Sequence, residues 1–246
     1  VIIWNWHNDE YERLHFFTGG KNFVGDFPPY GDLVAMPDGW WLNKIENKEK
    51  IILYPCVKDT SHLTAMGFKY AFTKDSHHKW NGESIVLPPV FKHHEAKPKT
   101  QTACSVIHYY KERDRKNHDM IAPIGYPIYG FGHQVNYDID GTLAQTKFLI
   151  HFKEIGYLCN AVIKAMAHAT IPIMSAATFT YGYADYLTPG KTCIIAETKE
   201  QIQDAVNMPE SKRKEMADNL LDKVEQIKST YYEVKHKTEL WLNGLN

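Results

Sequence analysis

Three side chains of the kinds that carry protons close the first apolar run of this chain. Val1–Trp6 reads as a buried strand, and His7, Asp9 and Glu10 follow it directly. Histidine and carboxylates act as general bases toward a hydroxyl, and open α/β sheets place ligand groups at strand ends. The same residues also make an ordinary polar exit from a strand, so both readings stay open. Asp138 and Asp140 form a D-x-D, which after the Gly130 strand reads as a turn rather than a metal site. His77-His78 and His93-His94 are adjacent pairs; neighbours point apart on a helix or strand, so neither offers a two-ligand face. H-E-x-x-H is absent, and no bound metal is expected.

Other signatures fail on spacing. Gly130-Phe131-Gly132 follows a strand but lacks the third glycine of a dinucleotide fingerprint. There is no G-x-x-x-x-G-K-[ST] for a P-loop and no G-x-S-x-G for a hydrolase elbow.

The elements that must position these residues alternate. The run from His151 to Ile195 puts an amphipathic helix, Tyr157–His168, between the apolar runs Phe148–His151 and Ile171–Met174. Pro189-Gly190-Lys191 then turns into a third run, Cys193–Ala196. Short apolar strands alternating with helices predict a parallel α/β sheet. Further strands are expected at Leu33–Met36, Ile51–Pro55, Tyr70–Thr73, Ser84–Leu87 and Cys104–Tyr109, with another at Asp119–Ile121 and one ending at Gly130. Lys199–Asn207 reads as a helix, and Ser211–Leu245 as helical with one break. Pro88-Pro89 and the polar segment Lys92–Thr102 favour an exposed linker. This predicts a partial first α/β domain over 1–90, a linker over 91–102, a second α/β domain over 103–228 and a final helix over 229–246.

The 246 residues suffice for one large or two small cores. The formal net charge of −1 offers no basic footprint for nucleic acid, although a local basic groove stays open. The four cysteines form no C-x-x-C and read as reduced buried thiols. No apolar run is long enough for a membrane span and no signal peptide is visible, so a cytoplasmic protein is expected. The chain opens at Val1 inside an apolar run, which suggests residues before it.

Taken in order, the second region resembles the C-terminal, donor-binding half of GT-B glycosyltransferases. The resemblance rests on Cys104–Tyr109, the pair Lys111 and Lys116, Gly130–Gly132, Lys164-Ala165-Met166-Ala167, Thr170–Ile173 and Pro189–Lys191. It implies Rossmann-like parallel sheets in a GT-B arrangement, the first domain incomplete, and transfer of a sugar from a nucleotide-diphosphate sugar such as a UDP-sugar. The family's basic pair implies that Lys111 and Lys116 bind the donor diphosphate. The helix starting near Gly156 would add backbone amides, with Glu154, Tyr157 and Asn160 around the donor. No cofactor is implied beyond the nucleotide sugar, and cations in place of a metal would stabilise the leaving group.

Two positions depart from the family. Lys164 stands where E-A-M-A carries a ribose-binding Glu, and lysine accepts no hydrogen bonds from ribose hydroxyls. Ala169-Thr170 replaces the glycine of A-x-G-x-P. The first region is taken as the acceptor side, around His7, Asp9, Glu10 and Trp40-Trp41, for a glycan or another hydroxyl acceptor. Phage DNA glucosyltransferases share this fold and act on a modified base, an acceptor class that the near-neutral charge of this chain does not favour but leaves open. The alternative is a non-catalytic nucleotide- or glycan-binding module that keeps a degenerate GT-B fold.

Overall fold

A computed structural model describes residues 2–5, 11–19, 47–48, 51–54, 61–76, 78–92, 97–106, 118–130, 138–152, 159–180 and 183–245. The chain forms two compact units, Val1–Val90 with Ile227–Asn246, and Phe91–Gln226.

The first unit is built on a four-stranded parallel sheet, β1 (Ile2–Asn5), β2 (Ile51–Tyr54), β3 (Tyr70–Thr73) and β4 (Glu83–Val86), in that spatial order. Helices α1 (Tyr11–Thr18) and α2 (Ser61–Ala65) lie between β1 and β2 and between β2 and β3 in sequence. All of β2 is buried, as strands covered on both faces are. The last helix, α8 (Tyr231–Gly244), belongs to this unit. Its Tyr231 hydroxyl donates to Pro89 O at 2.7 Å. Its Trp241 ring meets Tyr70 and Phe72 edge-on at 5.8 and 5.4 Å. Tyr232, beside Tyr231 on the same helix, is 84% exposed.

The second unit holds a five-stranded parallel sheet. Its strands are β5 (Gln101–Val106), β6 (Ile128–Tyr129), β7 (Thr146–Ile150), β8 (Ile171–Met174) and β9 (Ile194–Ile195), in the order β6-β5-β7-β8-β9. Helices α3 (Ile139–Gln145), α4 (Asn160–Ala167), α5 (Ala176–Thr180) and α6 (Lys199–Val206) connect or follow the strands, and α7 (Glu210–Ser229) comes after them. The core gathers Phe148, Ile150, Ile171 and Ile173 from the sheet with Ile202 and Met216 from the helices. Thr198 opens α6 with a reciprocal capping box to Gln201. The break in the final helical stretch falls at Thr230, between α7 and α8.

Several elements differ from the sequence expectation. Residues 118–121 are helical and run into a 3-10 turn at Ala122–Ile124, so Asp119–Ile121 is not a strand. Three apolar-flanked residues carry no decisive period, and Pro123 suits an early helical position. β5 starts at Gln101, inside the expected linker, because Gln101 pairs with Thr146 of β7. The helix expected from Tyr157 is described only from Asn160, with Cys159 as its N-cap. The D-x-D is not a turn: Asp138 is the N-cap of α3 and Asp140 lies in its first turn, where a carboxylate favours the helix dipole. The expected strand Leu33–Met36 lies outside the described residues.

Candidate functional site

In the second unit β5 is followed by β6 on one side and β7 on the other, so the strand order reverses between β5 and β7. Crevices at the carboxyl ends of strands flanking such a reversal bind ligands in open α/β sheets. Ser105, wholly buried near the end of β5, donates from Oγ to Ile150 O at the end of β7 at 2.8 Å. That bond clamps the two strand ends together.

The chain leaves β7 through His151, which is 1% exposed. His151 Nε2 lies 3.1 Å from the hydroxyl of Tyr183, itself buried. The same hydroxyl accepts the backbone N–H of Cys159 at 3.2 Å. Burial holds the Tyr183 phenol well above its ordinary range; nearby Cys159 also raises it, and the bond from the Cys159 amide opposes this in part. The hydroxyl therefore keeps its proton at neutral pH. This three-way link fixes the start of α4. Cys159 caps α4 without a side-chain hydrogen bond, and the first amides of a helix have no intrahelical acceptor. Such a helix start attracts anions.

The next strand end is ordered in a similar way. After β8, Ser175 Oγ accepts the Thr178 N–H at 3.1 Å. Glu197, just beyond β9, accepts the Ala176 N–H at 2.6 Å. His151, Ser175, Tyr183 and Glu197 were not singled out from sequence. For His151, Ser175 and Glu197 the signal available was their position just after a strand; Tyr183 carried none, and their mutual proximity was not legible.

Two of the expected donor residues are described. Asn160 is the first residue of α4 and is partly buried. Lys164, in the last turn of α4, places Nζ 2.6 Å from Asp140 Oδ2 of α3. His168 Nε2 lies 3.4 Å from the other Asp140 oxygen. Lys111, Lys116, Glu154, Gly156 and Tyr157 lie outside the described residues, as do His7, Asp9, Glu10 and Trp40-Trp41.

The far end of α4 is a structural knot. Lys99 Nζ donates to His168 O at 2.7 Å, Thr170 Oγ1 at 2.9 Å and Leu143 O at 3.0 Å. A cation on the carbonyls ending α3 and α4 complements both helix dipoles. Burial lowers the Lys99 pKa to about 8, helped by the charge of Arg213 and opposed by Cys104. Ala169 closes α4 in the left-handed region, with φ +54. Its N–H donates to Met166 O and the Thr170 N–H to Ala165 O, at 3.1 and 2.8 Å. This is a Schellman closure, with alanine where the GT-B motif carries glycine.

No protein-family model matches the chain, and no curated protein matches it by sequence. Solved structures match it in fold. A TarM variant from S. aureus, solved with fondaparinux, alpha-GlcNAc-glycerol and UDP, aligns with TM-score 0.51 and 12% identity over 84% of this chain and 58% of its own. A chain of the GtfA/B complex aligns with TM-score 0.56 and 9% identity over 83% of this chain and 56% of its own. Both are GT-B glycosyltransferases. The chain thus has an α/β fold of the GT-B type, and it spans a little over half the length of these neighbours. Among the described residues, no helix is long and apolar enough to cross a membrane.

Proposed function

We propose that this protein moves a sugar from a nucleotide-diphosphate sugar, with UDP as the nucleotide, to an acceptor hydroxyl. The observation that carries this is the start of α4, tied by Tyr183 and His151 beside the strand-order reversal of a GT-B-like sheet. As the bond from the sugar anomeric carbon to the diphosphate breaks, negative charge grows on the departing phosphate oxygens. Fixed amides at the α4 start, with Lys111 and Lys116, stabilise that charge, so the proposal includes no metal. Glu154, Gly156, Tyr157 and Asn160 border the donor. In the first unit His7, Asp9 or Glu10 takes the proton from the acceptor hydroxyl. The neighbour solved with UDP supports the choice of nucleotide. A cytoplasmic setting is also part of the proposal, supported by the free thiols Cys104, Cys159 and Cys193.

One observation favours a second reading, a binding module without transfer activity. The family's ribose-binding position holds Lys164, whose ammonium is engaged by Asp140. Thermal shifts with UDP-, GDP- and ADP-sugars test the donor site. One nucleotide is expected to stabilise the fold, and Lys111→Ala with Lys116→Ala to abolish that gain. Silence toward every nucleotide would sink the assignment. Release of free nucleotide diphosphate in the presence of acceptor glycans separates an enzyme from a module that only binds.

A further inference from the structure

A continuous run of hydrogen bonds follows the carboxyl edge of the second unit's sheet and ends at the start of α4. It begins at Glu197, just past β9. Gln201 of α6 holds that residue: Gln201 Oε1 accepts the Glu197 N–H at 2.6 Å, and the capping box of α6 fixes Gln201 in turn. Glu197 Oε1 accepts the Ala176 N–H at 2.6 Å, at the first residue of α5. From α5 the run reaches Tyr183: the Phe179 N–H donates to Ser175 O at 2.9 Å, and the Tyr183 N–H to Phe179 O at 3.1 Å. The Tyr183 hydroxyl accepts the Cys159 N–H at 3.2 Å, at the N-cap of α4. The strands that precede α4 and α5, β7 and β8, lie side by side, and the His151 N–H donates to Ile173 O at 2.8 Å.

Glu197 is exposed, so packing does not account for its fixed place. A glutamate that only solvates a surface keeps its rotamers, and ordering one costs side-chain entropy. Glu197 is held at its backbone by Gln201 and spends its carboxylate on a backbone amide, a charge-assisted bond roughly twice as strong as a neutral one. α5 has only five residues, too few to be stable by itself. Its place is therefore set by what holds its start: Glu197 on the Ala176 amide and Ser175 Oγ on the Thr178 amide. Tyr183, bonded to α5 through Phe179 O, takes its place from the same helix.

We propose that Glu197 is a positioning residue for the start of α4: by fixing α5 it sets Tyr183, and Tyr183 sets the first turn of α4. For catalysis this rests on reading that start as the donor diphosphate site, and it adds that a residue after β9, two strands from β7, pre-organises it. A helix start already held in its bound form spares the ordering cost of binding. The acceptor oxygen and not the charge of Glu197 does this, so a carboxamide serves in its place.

The test uses the full chain, and its first arm needs no ligand. Amide hydrogen exchange is followed at Cys159, Val162 and Ile163, at the start of α4, with the buried Leu220 of α7 as reference. Glu197→Ala is expected to speed exchange at the three α4 amides about threefold or more relative to Leu220. Glu197→Gln, which keeps an acceptor oxygen, should restore the wild-type rates. Tyr183→Phe should speed the same amides, and adding Glu197→Ala to it should bring little more, because both act through one hydroxyl. Unchanged α4 exchange in Glu197→Ala, equal acceleration at Leu220, a Gln variant as fast as the Ala variant, or additive effects overturns the proposal. In a second arm, calorimetric titration with UDP should show binding weakened about threefold or more by Glu197→Ala and kept by Glu197→Gln. Where the wild type binds UDP, equal affinity in Glu197→Ala overturns the pre-organising role. A wild type that does not bind UDP sinks the donor reading, while the exchange rates still decide the role of Glu197.

Discussion

Lys164 Nζ lies 2.6 Å from Asp140 Oδ2, which gives an internal partner to the lysine at the family's ribose-binding position. Both side chains are about one-third exposed, so water screens the pair and its net contribution is about 0.5–1 kcal/mol. Lys164→Glu alone should therefore destabilise the protein by roughly 1 kcal/mol through like-charge contact with Asp140. Combining it with Asp140→Lys should recover most of that loss. Urea unfolding of the two single variants and the double variant measures the coupling.

Ala169 takes the left-handed conformation that closes α4. A side chain costs about 1–2 kcal/mol there, and glycine gives back about 0.5–1 kcal/mol through its freer unfolded chain. Ala169→Gly is thus expected to raise stability by about 0.5–1 kcal/mol, seen as a higher urea midpoint at unchanged slope.

Tyr183 links His151 to the Cys159 amide through one hydroxyl. Tyr183→Phe keeps the ring and removes the hydroxyl that links the two groups. A loss of about 1–3 kcal/mol is expected. On the donor-site proposal the variant should also bind nucleotide diphosphate more weakly, because the start of α4 is no longer tied down.

Lys99 gives a pH signature. Its folded pKa of about 8 lies below the ordinary 10.5. Between those values the unfolded chain binds more protons, so this lysine costs stability below about pH 8 and the cost is relieved as pH rises toward 10.5. Burial raises the Cys104 and Cys193 thiols to about 11 and about 12, above their ordinary 9.0. Their contribution is full below pH 9 and is lost as pH climbs through those raised values. Lys99→Met leaves three acceptors without their cation and should cost about 1–3 kcal/mol at pH 7. The gap between wild type and variant should widen from pH 8 to 10, read by denaturation at each pH.

The same thiols separate by reactivity. Cys104 and Cys193 are wholly buried, whereas Cys159 is partly exposed at the α4 start. In a Cys56→Ser background a disulfide reagent at pH 8 should modify Cys159 and reach the other two only on unfolding. A bound nucleotide diphosphate should slow the Cys159 reaction. Rapid modification of Cys104 in the native protein would contradict the packing described above.

Local sequence was sufficient wherever an element buries its own apolar residues. Tyr70–Thr73 and Ile171–Met174 are strands as expected, because four-residue apolar runs in parallel sheets are covered on both faces. Asp119–Ile121 was too short for period to separate helix from strand. Gln101 was hidden for another reason: it is strand because Thr146 pairs with it 45 residues later, not because of its own propensity.

The order of weak motifs from Lys111 to Lys191 was enough to imply the GT-B-type fold, since chain order and strand–helix alternation are properties of sequence. What only the tertiary structure decided are the contacts across that order. Lys164 meets Asp140 24 residues away, His151 meets Tyr183 32 residues away, and Arg13 meets Tyr54 41 residues away. Each depends on which strands lie side by side and on which faces are buried. A hydrogen bond or an ion pair becomes worth its desolvation only once packing has brought both partners to one place.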